Sequence, residues 1–109
     1  MTLTRTEVRD LLDRYQISPK RSLGQNFVVE PNTVRRIAEL AEIKPGDRVL
    51  EIGPGIGSLT LALLDQSAEL TAIEIDQKLV EVLREVTAGK KITILHEDAM
   101  SFDFAGYLN

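Results

Sequence analysis

The sequence predicts an α/β protein, a parallel βαβαβ unit preceded by two helices. Three observations predict it. From Asp47 onward, short apolar runs alternate with stretches of helical period, the order that builds a parallel sheet with crossover helices. A glycine cluster, Gly53-Pro54-Gly55-Ile56-Gly57, separates the first apolar run from the helix that follows it. Ahead of these, two helix-start signals each lead into an apolar stripe.

The elements follow in order. Thr4-x-x-Glu7 is a capping box ahead of Val8, Leu11, Leu12 and Tyr15, spaced i, i+3, i+4, i+7, which predicts an amphipathic helix over about 5–15. Residues 17–27 show no sustained period and carry Pro19, Gly24 and two serines, so they read as a loop. Pro31 suits the first turn of a second helix, with Val34, Ile37, Ala38 and Ala41 as its stripe and Lys44-Pro45-Gly46-Asp47 as its end. Residues 48–52 read as the first strand. The helix from Ser58 to about Gln66 is apolar almost all round, as a helix packed tightly on a sheet should be. Residues 69–74 form the second strand, and Asp76 caps a helix with the face Leu79, Val80, Leu83 and Val86, stopped by Gly89. Residues 92–95 make the third strand. Right-handed crossovers place the strands in the order 3-2-1.

Composition bounds the function. At 109 residues the chain is one domain or part of one. An apolar fraction of 43% with 28% charge is that of a globular protein, and no apolar run approaches the ~20 residues of a membrane span. The first residues lack a signal peptide's apolar stretch, so a cytoplasmic location is expected. The absence of cysteine excludes disulfides and thiolate metal sites. The net charge of −4 is unevenly spread. Residues 1–36 hold seven basic and four acidic side chains; the remainder holds six and thirteen. A basic front on an acidic body fits an RNA-contacting edge, although solvated helix faces produce the same pattern.

The glycine loop carries the strongest chemistry. It follows a strand and opens a helix, where backbone amides and partial positive charge can receive a phosphate or a carboxylate. Gly53 and Gly55 allow backbone to approach a ligand, and Gly57 allows a tight helix entry. The spacing Gly-x-Gly-x-Gly departs from the dinucleotide fingerprint Gly-x-Gly-x-x-Gly. Glu51, just before the loop, can hold a ligand's ammonium group and would repel a phosphate. Glu74 ends the second strand, 21 residues beyond Gly53, where a carboxylate can accept from ribose hydroxyls. Asp98 follows the third strand. It could accept from an adenine's exocyclic amine with Ala99 and Met100 beside the ring, or simply cap a turn. His96 is the only histidine, and with no partner of its kind it suggests a structural role rather than a metal site. No hydrolytic constellation can be placed.

Ser22-Leu23-Gly24-Gln25-Asn26-Phe27, followed by Glu51-Ile52-Gly53-Pro54-Gly55-Ile56-Gly57, resembles the ribosomal RNA adenine N6-dimethyltransferases. The resemblance continues through Ile73-Glu74-Ile75-Asp76 and Glu97-Asp98-Ala99, spanning about 20–103, and leans toward the ribosome-biogenesis branch over the erythromycin-resistance methylases. It implies the N-terminal half of a Rossmann-like class I methyltransferase that binds S-adenosyl-L-methionine and acts on small-subunit ribosomal RNA. Residues 1–46 would supply helices and a loop facing cofactor and RNA, and 47–109 a partial cofactor-binding domain. Asn26 and Val28 (where the family often has leucine) would close over the cofactor. Gly53 would lie against its methionine part, Glu74 would bind the ribose, and Asp98 the adenine amine. Lys20 and Arg21 would face the RNA.

The family's Asn-Leu-Pro-Tyr-type segment, which grips the target adenine, has no counterpart here; Tyr107-Leu108-Asn109 does not match it. The expectation is therefore a cofactor half with no methyl transfer of its own. The strand at 48–52, central in the family's sheet, would keep one edge open and favour self-association. The rivals are a dinucleotide-binding module, a small-molecule methyltransferase, and a domain that only folds and associates.

Overall fold

The computed structural model describes residues 3–17, 31–66 and 68–108. The elements are α1 (Arg5–Arg14), α2 (Pro31–Leu40), β1 (Arg48–Ile52), α3 (Ser58–Asp65), β2 (Glu69–Glu74), α4 (Gln77–Val86), β3 (Ile92–His96), a 3-10 turn (Ala99–Ser101) and α5 (Phe104–Leu108). The strands form one parallel sheet in the order β1-β2-β3, with Leu50 opposite Thr71 and Ala72 opposite Ile94. This is the predicted order. As the middle strand, β2 is the most buried, and Leu70, Ala72, Ile73 and Glu74 are all shielded.

Local signals set the helix ends. Thr4 accepts from the Glu7 amide at 3.1 Å while the Glu7 carboxylate accepts from the Thr4 amide at 2.9 Å, completing the capping box. Asp76 Oδ1 accepts from the amides of Lys78 and Leu79 at 2.8 and 3.2 Å and starts α4. The helix α4 ends at Val86, and Gly89, at φ +80°, turns the chain toward β3.

Two clusters fill the core. Leu3, Val8, Leu11 and Leu12 from the α1 region meet Ile56, Leu61, Leu79 and Val82, so α1 lies across α3, α4 and the glycine loop. Outside that cluster, Glu85 Oε1 accepts from Arg14 Nη1 and from the Tyr15 hydroxyl, both at 2.8 Å. The second cluster joins Val34 and Ala38 of α2 to Ala62, Leu63 and Leu70. The all-round apolar character of α3 is thus accounted for: the helix packs on β2, on α2 and on the α1 cluster.

Two departures from the sequence reading have physical causes. Only Val34 and Ala38 of the predicted α2 stripe are buried. Ile37 is 40% exposed and lines, with Ala41, a groove along the outer edge of β1. That stripe faces an edge with no strand paired to it among the described residues. The short α5 lacked a periodic signal. It is held by Asp103 Oδ1 accepting from the Gly106 amide at 2.9 Å, and by Arg48, which donates to the Tyr107 carbonyl at 2.7 Å and stacks 4.8 Å from its ring.

Leu79 is fully buried where α1, α3 and α4 meet. Leu79→Ala should cost roughly 2–5 kcal/mol by transfer and cavity terms. Urea unfolding measures it, and a loss below about 1 kcal/mol would show that this cluster is not packed as described.

Candidate functional site

The carboxyl ends of the strands, at Ile52, Glu74 and His96, carry the loops that hold the sequence candidates. The sheet's hydrogen bonding continues past them. The Gly53 amide donates to the Ile73 carbonyl at 2.9 Å, and the Glu97 amide to the Glu74 carbonyl at 3.1 Å. In open parallel sheets this is the edge that receives ligands.

The glycine loop adopts what its sequence demands at two positions above all. Gly53 has φ +67°, and a Cβ there would meet nothing within 4 Å, so the backbone faces open space. Gly57 has φ +97°, and a Cβ would lie 2.9 Å from Leu83 Cδ1 and 3.3 Å from Val86 Cγ1. Here glycine answers both a left-handed backbone and close packing on α4. Gly57 also caps α3 and, being glycine, supplies no side-chain hydrogen bond to the first-turn amides. Between the glycines, Ile56 is buried in the α1 cluster.

Glu74 is buried at the end of β2. Its Oε1 accepts from the Gly55 amide at 3.3 Å and its Oε2 from the Asp76 amide at 3.0 Å. The carboxylate therefore ties the glycine loop to the sheet.

Glu51 is the second buried acid, on the same side of the sheet and 8% exposed. The Thr60 hydroxyl of α3 donates to its Oε1 at 2.5 Å. Burial above all, opposed by the Thr60 hydrogen bond and joined by the Glu74 charge, raises the carboxyl from 4.5 to about 7.

Asp98 is exposed, and its Oδ1 accepts from the Met100 amide at 2.9 Å, capping the 3-10 turn. The capping alternative is realised, and it occupies one oxygen. Ala99 begins that turn half-buried, and Met100 is 92% exposed. Near it in the chain, His96 Nε2 lies 2.9 Å from the Ile75 carbonyl. A carbonyl only accepts, so this nitrogen carries the proton, as a structural histidine would. Sequence reasoning missed Ile75, which is 55% exposed just beyond β2. Its signal was the pattern Ile73-Glu74-Ile75, in which the second isoleucine passes the end of the sheet. Glu51, Gly53, Gly55, Gly57, Glu74, Asp98 and Ala99 thus share the carboxyl edge. Lys20, Arg21, Asn26 and Val28 lie outside the described residues.

A cleft of about 910 Å³ opens elsewhere, beside the amino ends of the strands among Arg48, Lys90, Lys91, Asp65 and Glu69. These charged side chains are all exposed and of mixed sign, whereas the buried carboxyls and the glycine loop are at the other end. Chemistry favours the carboxyl edge over cleft size. Among the described residues no group of histidine, aspartate or glutamate could hold a metal ion, and no helix is long and apolar enough to cross a membrane.

The fold and this edge define a class I S-adenosylmethionine-dependent methyltransferase fold. Solved structures agree. A 23S rRNA methyltransferase, ErmE, matches with a TM-score of 0.66 and 40% identity over 72% of this chain and 32% of its own. A dimethyladenosine transferase from Plasmodium falciparum matches with a TM-score of 0.64 and 30% identity, over 72% of this chain and 30% of its own. The family model described as ribosomal RNA adenine dimethylase matches residues 17–108, and the chain belongs to this family. The ribosomal RNA small subunit methyltransferase A of Magnetococcus marinus is 48% identical over 89% of this chain. The chain spans about a third (35%) of that relative's length.

The raised Glu51 has a consequence for stability. The folded chain keeps a proton there that the unfolded chain loses near 4.5. Stability should therefore fall as pH rises from 4.5 to about 7 and level off above, a difference on the order of 3 kcal/mol. Glu51→Gln should remove that part of the decline, giving a higher urea midpoint than the parent at pH 8 and a similar one at pH 4. Parallel pH profiles for the two proteins would contradict this account of the buried acid.

Proposed function

We propose that this chain is the S-adenosyl-L-methionine-binding part of a ribosomal RNA adenine N6-dimethyltransferase acting on small-subunit ribosomal RNA. The observation that carries the reading is the pairing of two buried acids with the glycine loop at the carboxyl edge. The cofactor's chemistry fits these residues. Its ribose offers hydroxyls to Glu74, its ammonium group suits Glu51, and its carboxylate suits the α3 amides behind Gly57. Gly53 would give the methionine part access to backbone, and Asp98 with Ala99 would meet the adenine amine. Exposed Ile75 and Met100 offer apolar contacts to a ring. Asn26 and Val28 would close over the cofactor, and Lys20 and Arg21 would meet the RNA. When bound, the cofactor supplies an electrophilic methyl group on its sulfonium. This chain's residues orient it, and catalysis of this kind rests on positioning and electrostatics.

The grip on the target adenine needs a segment that these 109 residues lack, so methyl transfer is not expected from them alone. The small-subunit substrate is supported by the names of the curated relatives, while the likeness to ErmE keeps a 23S-type methylase as the alternative. A ribosomal RNA substrate supports a cytoplasmic location. We further infer self-association through β1. Its outer edge is unpaired among the described residues, and it borders a groove of about 660 Å³ with Ile37 and Ile52 exposed.

Calorimetric titration should show saturable binding of S-adenosylmethionine and none of NAD. Glu74→Ala should weaken binding at least about tenfold, since a charged hydrogen-bond partner is lost. Binding of NAD in place of the methyl donor would overturn the reading. In sedimentation, the apparent mass should rise with concentration, and a monomer at every concentration would refute edge pairing.

A further inference from the structure

The pair formed by Glu51 and Thr60 has no counterpart elsewhere among the described residues. Two carboxyls, Glu51 and Glu74, are nine-tenths or more buried on one side of the sheet, yet they are held differently. Glu74 receives two backbone amides. Among the described residues Glu51 has one partner, the hydroxyl of Thr60, itself fully buried in the first turn of α3. A buried carboxylate with a single neutral donor is poorly compensated, and a second negative charge nearby makes its ionisation costlier. Among the described residues no cation is paired with it. From β2 the group acting on Glu51 is Glu74, and from α3 it is the uncharged Thr60. Along the groove shared with α2 the lining is Ile37 and Ala41, with Asp47 and Arg48 at the far end of β1.

We propose that Glu51 stores a proton in the ligand-free protein and releases it when a ligand's ammonium group arrives, with Thr60 setting the pH at which the exchange occurs. The inference rests on the cofactor reading above and adds a property to it, namely that capture of the cationic amino-acid end is linked to proton release. The balance is simple. The carboxyl O–H bond breaks, the proton passes to solvent, and the ammonium takes its place as the positive partner of the carboxylate. Thr60 acts through Glu51 and is a positioning residue. Its donated hydrogen bond favours the ionised acid, and losing it makes the proton harder to remove.

The sign follows from linkage. Below about 7 the free site is protonated, and the ligand must displace that proton. The affinity for S-adenosylmethionine should therefore rise about fivefold from pH 6 to pH 7 and flatten above. The ligand's own amine titrates nearer ~8 and stays protonated over that interval. Calorimetry at pH 6 in two buffers of different ionisation enthalpy should show release of about 0.9 proton per ligand bound. Glu51→Gln should bind more weakly at pH 7 with no slope between pH 6 and 7. Thr60→Val should keep the slope but move it to higher pH, which a merely structural role would not do. A second measurement needs no ligand: carboxyl-carbon NMR of the free chain should show Glu51 titrating near 7.

The outcomes separate. Binding with pH-independent affinity and no proton release overturns the proposal and leaves the cofactor reading standing. A Glu51 midpoint near 4.5 overturns it whatever the ligand does. Failure of S-adenosylmethionine to bind at any pH, by a folded chain, overturns the cofactor reading and this inference together.

Discussion

A single buried carboxylate holds the candidate site in shape. Glu74 lies at the end of the central strand, shielded from water, and an ion in that position must be met by donors. Two such donors are the amide of Gly55, inside the glycine loop, and the amide of Asp76, where the chain turns into α4. One side chain thereby fixes the loop after β1 relative to the loop after β2. Without that bridge the glycines would be free in the very dihedrals that make them useful.

The neighbouring acid shows how position alone divides two identical chemistries. Glu51 and Glu74 flank the same loop, but Glu74 sits where backbone amides converge, and Glu51 sits within the edge strand with its side chain turned toward α3. Among the described residues, only the hydroxyl of Thr60 reaches it. The fold therefore places one acid in a donor-rich setting and leaves the other poorly compensated. A poorly compensated buried acid is tolerable where a cationic ligand completes it, and such groups gather at binding sites more often than in plain cores.

Much of this was legible in the sequence because local rules agreed with the global fold. The capping residues Thr4 and Asp76, the strand at 69–74 and the glycine spacing each carry their own physical signal. What failed to show was decided by tertiary contact. The stripe of α2 predicted Ile37 as core, yet which apolar residues are covered depends on what lies beyond β1. The helix α5 is too short for periodicity and depends on Arg48, some 59 residues away in sequence. For Asp98 the sequence left two roles open. The structure displays the cap, while a carboxylate's remaining acceptor sites leave the ligand role compatible with it. The burial of Thr60 against Glu51 was equally unreadable, since nine residues of separation across a turn do not announce a contact.

The amino-terminal helix belongs to the same mechanical unit. Ile56 is the loop's one large side chain, and it is buried among Leu3, Val8, Leu11 and Leu12 rather than against the sheet alone. The glycines on either side of it are permissive and cannot by themselves hold a conformation. A buried isoleucine anchored between them can, because moving the loop would pull that side chain out of a packed cluster. The capping box that starts α1 and the Arg14 and Tyr15 bonds to Glu85 at its end keep that cluster closed. Residues at the start of the chain thus bear on the geometry of a site fifty residues later. The loop is held on one side by Glu74 and on another by the α1 cluster, and it stays open at Gly53.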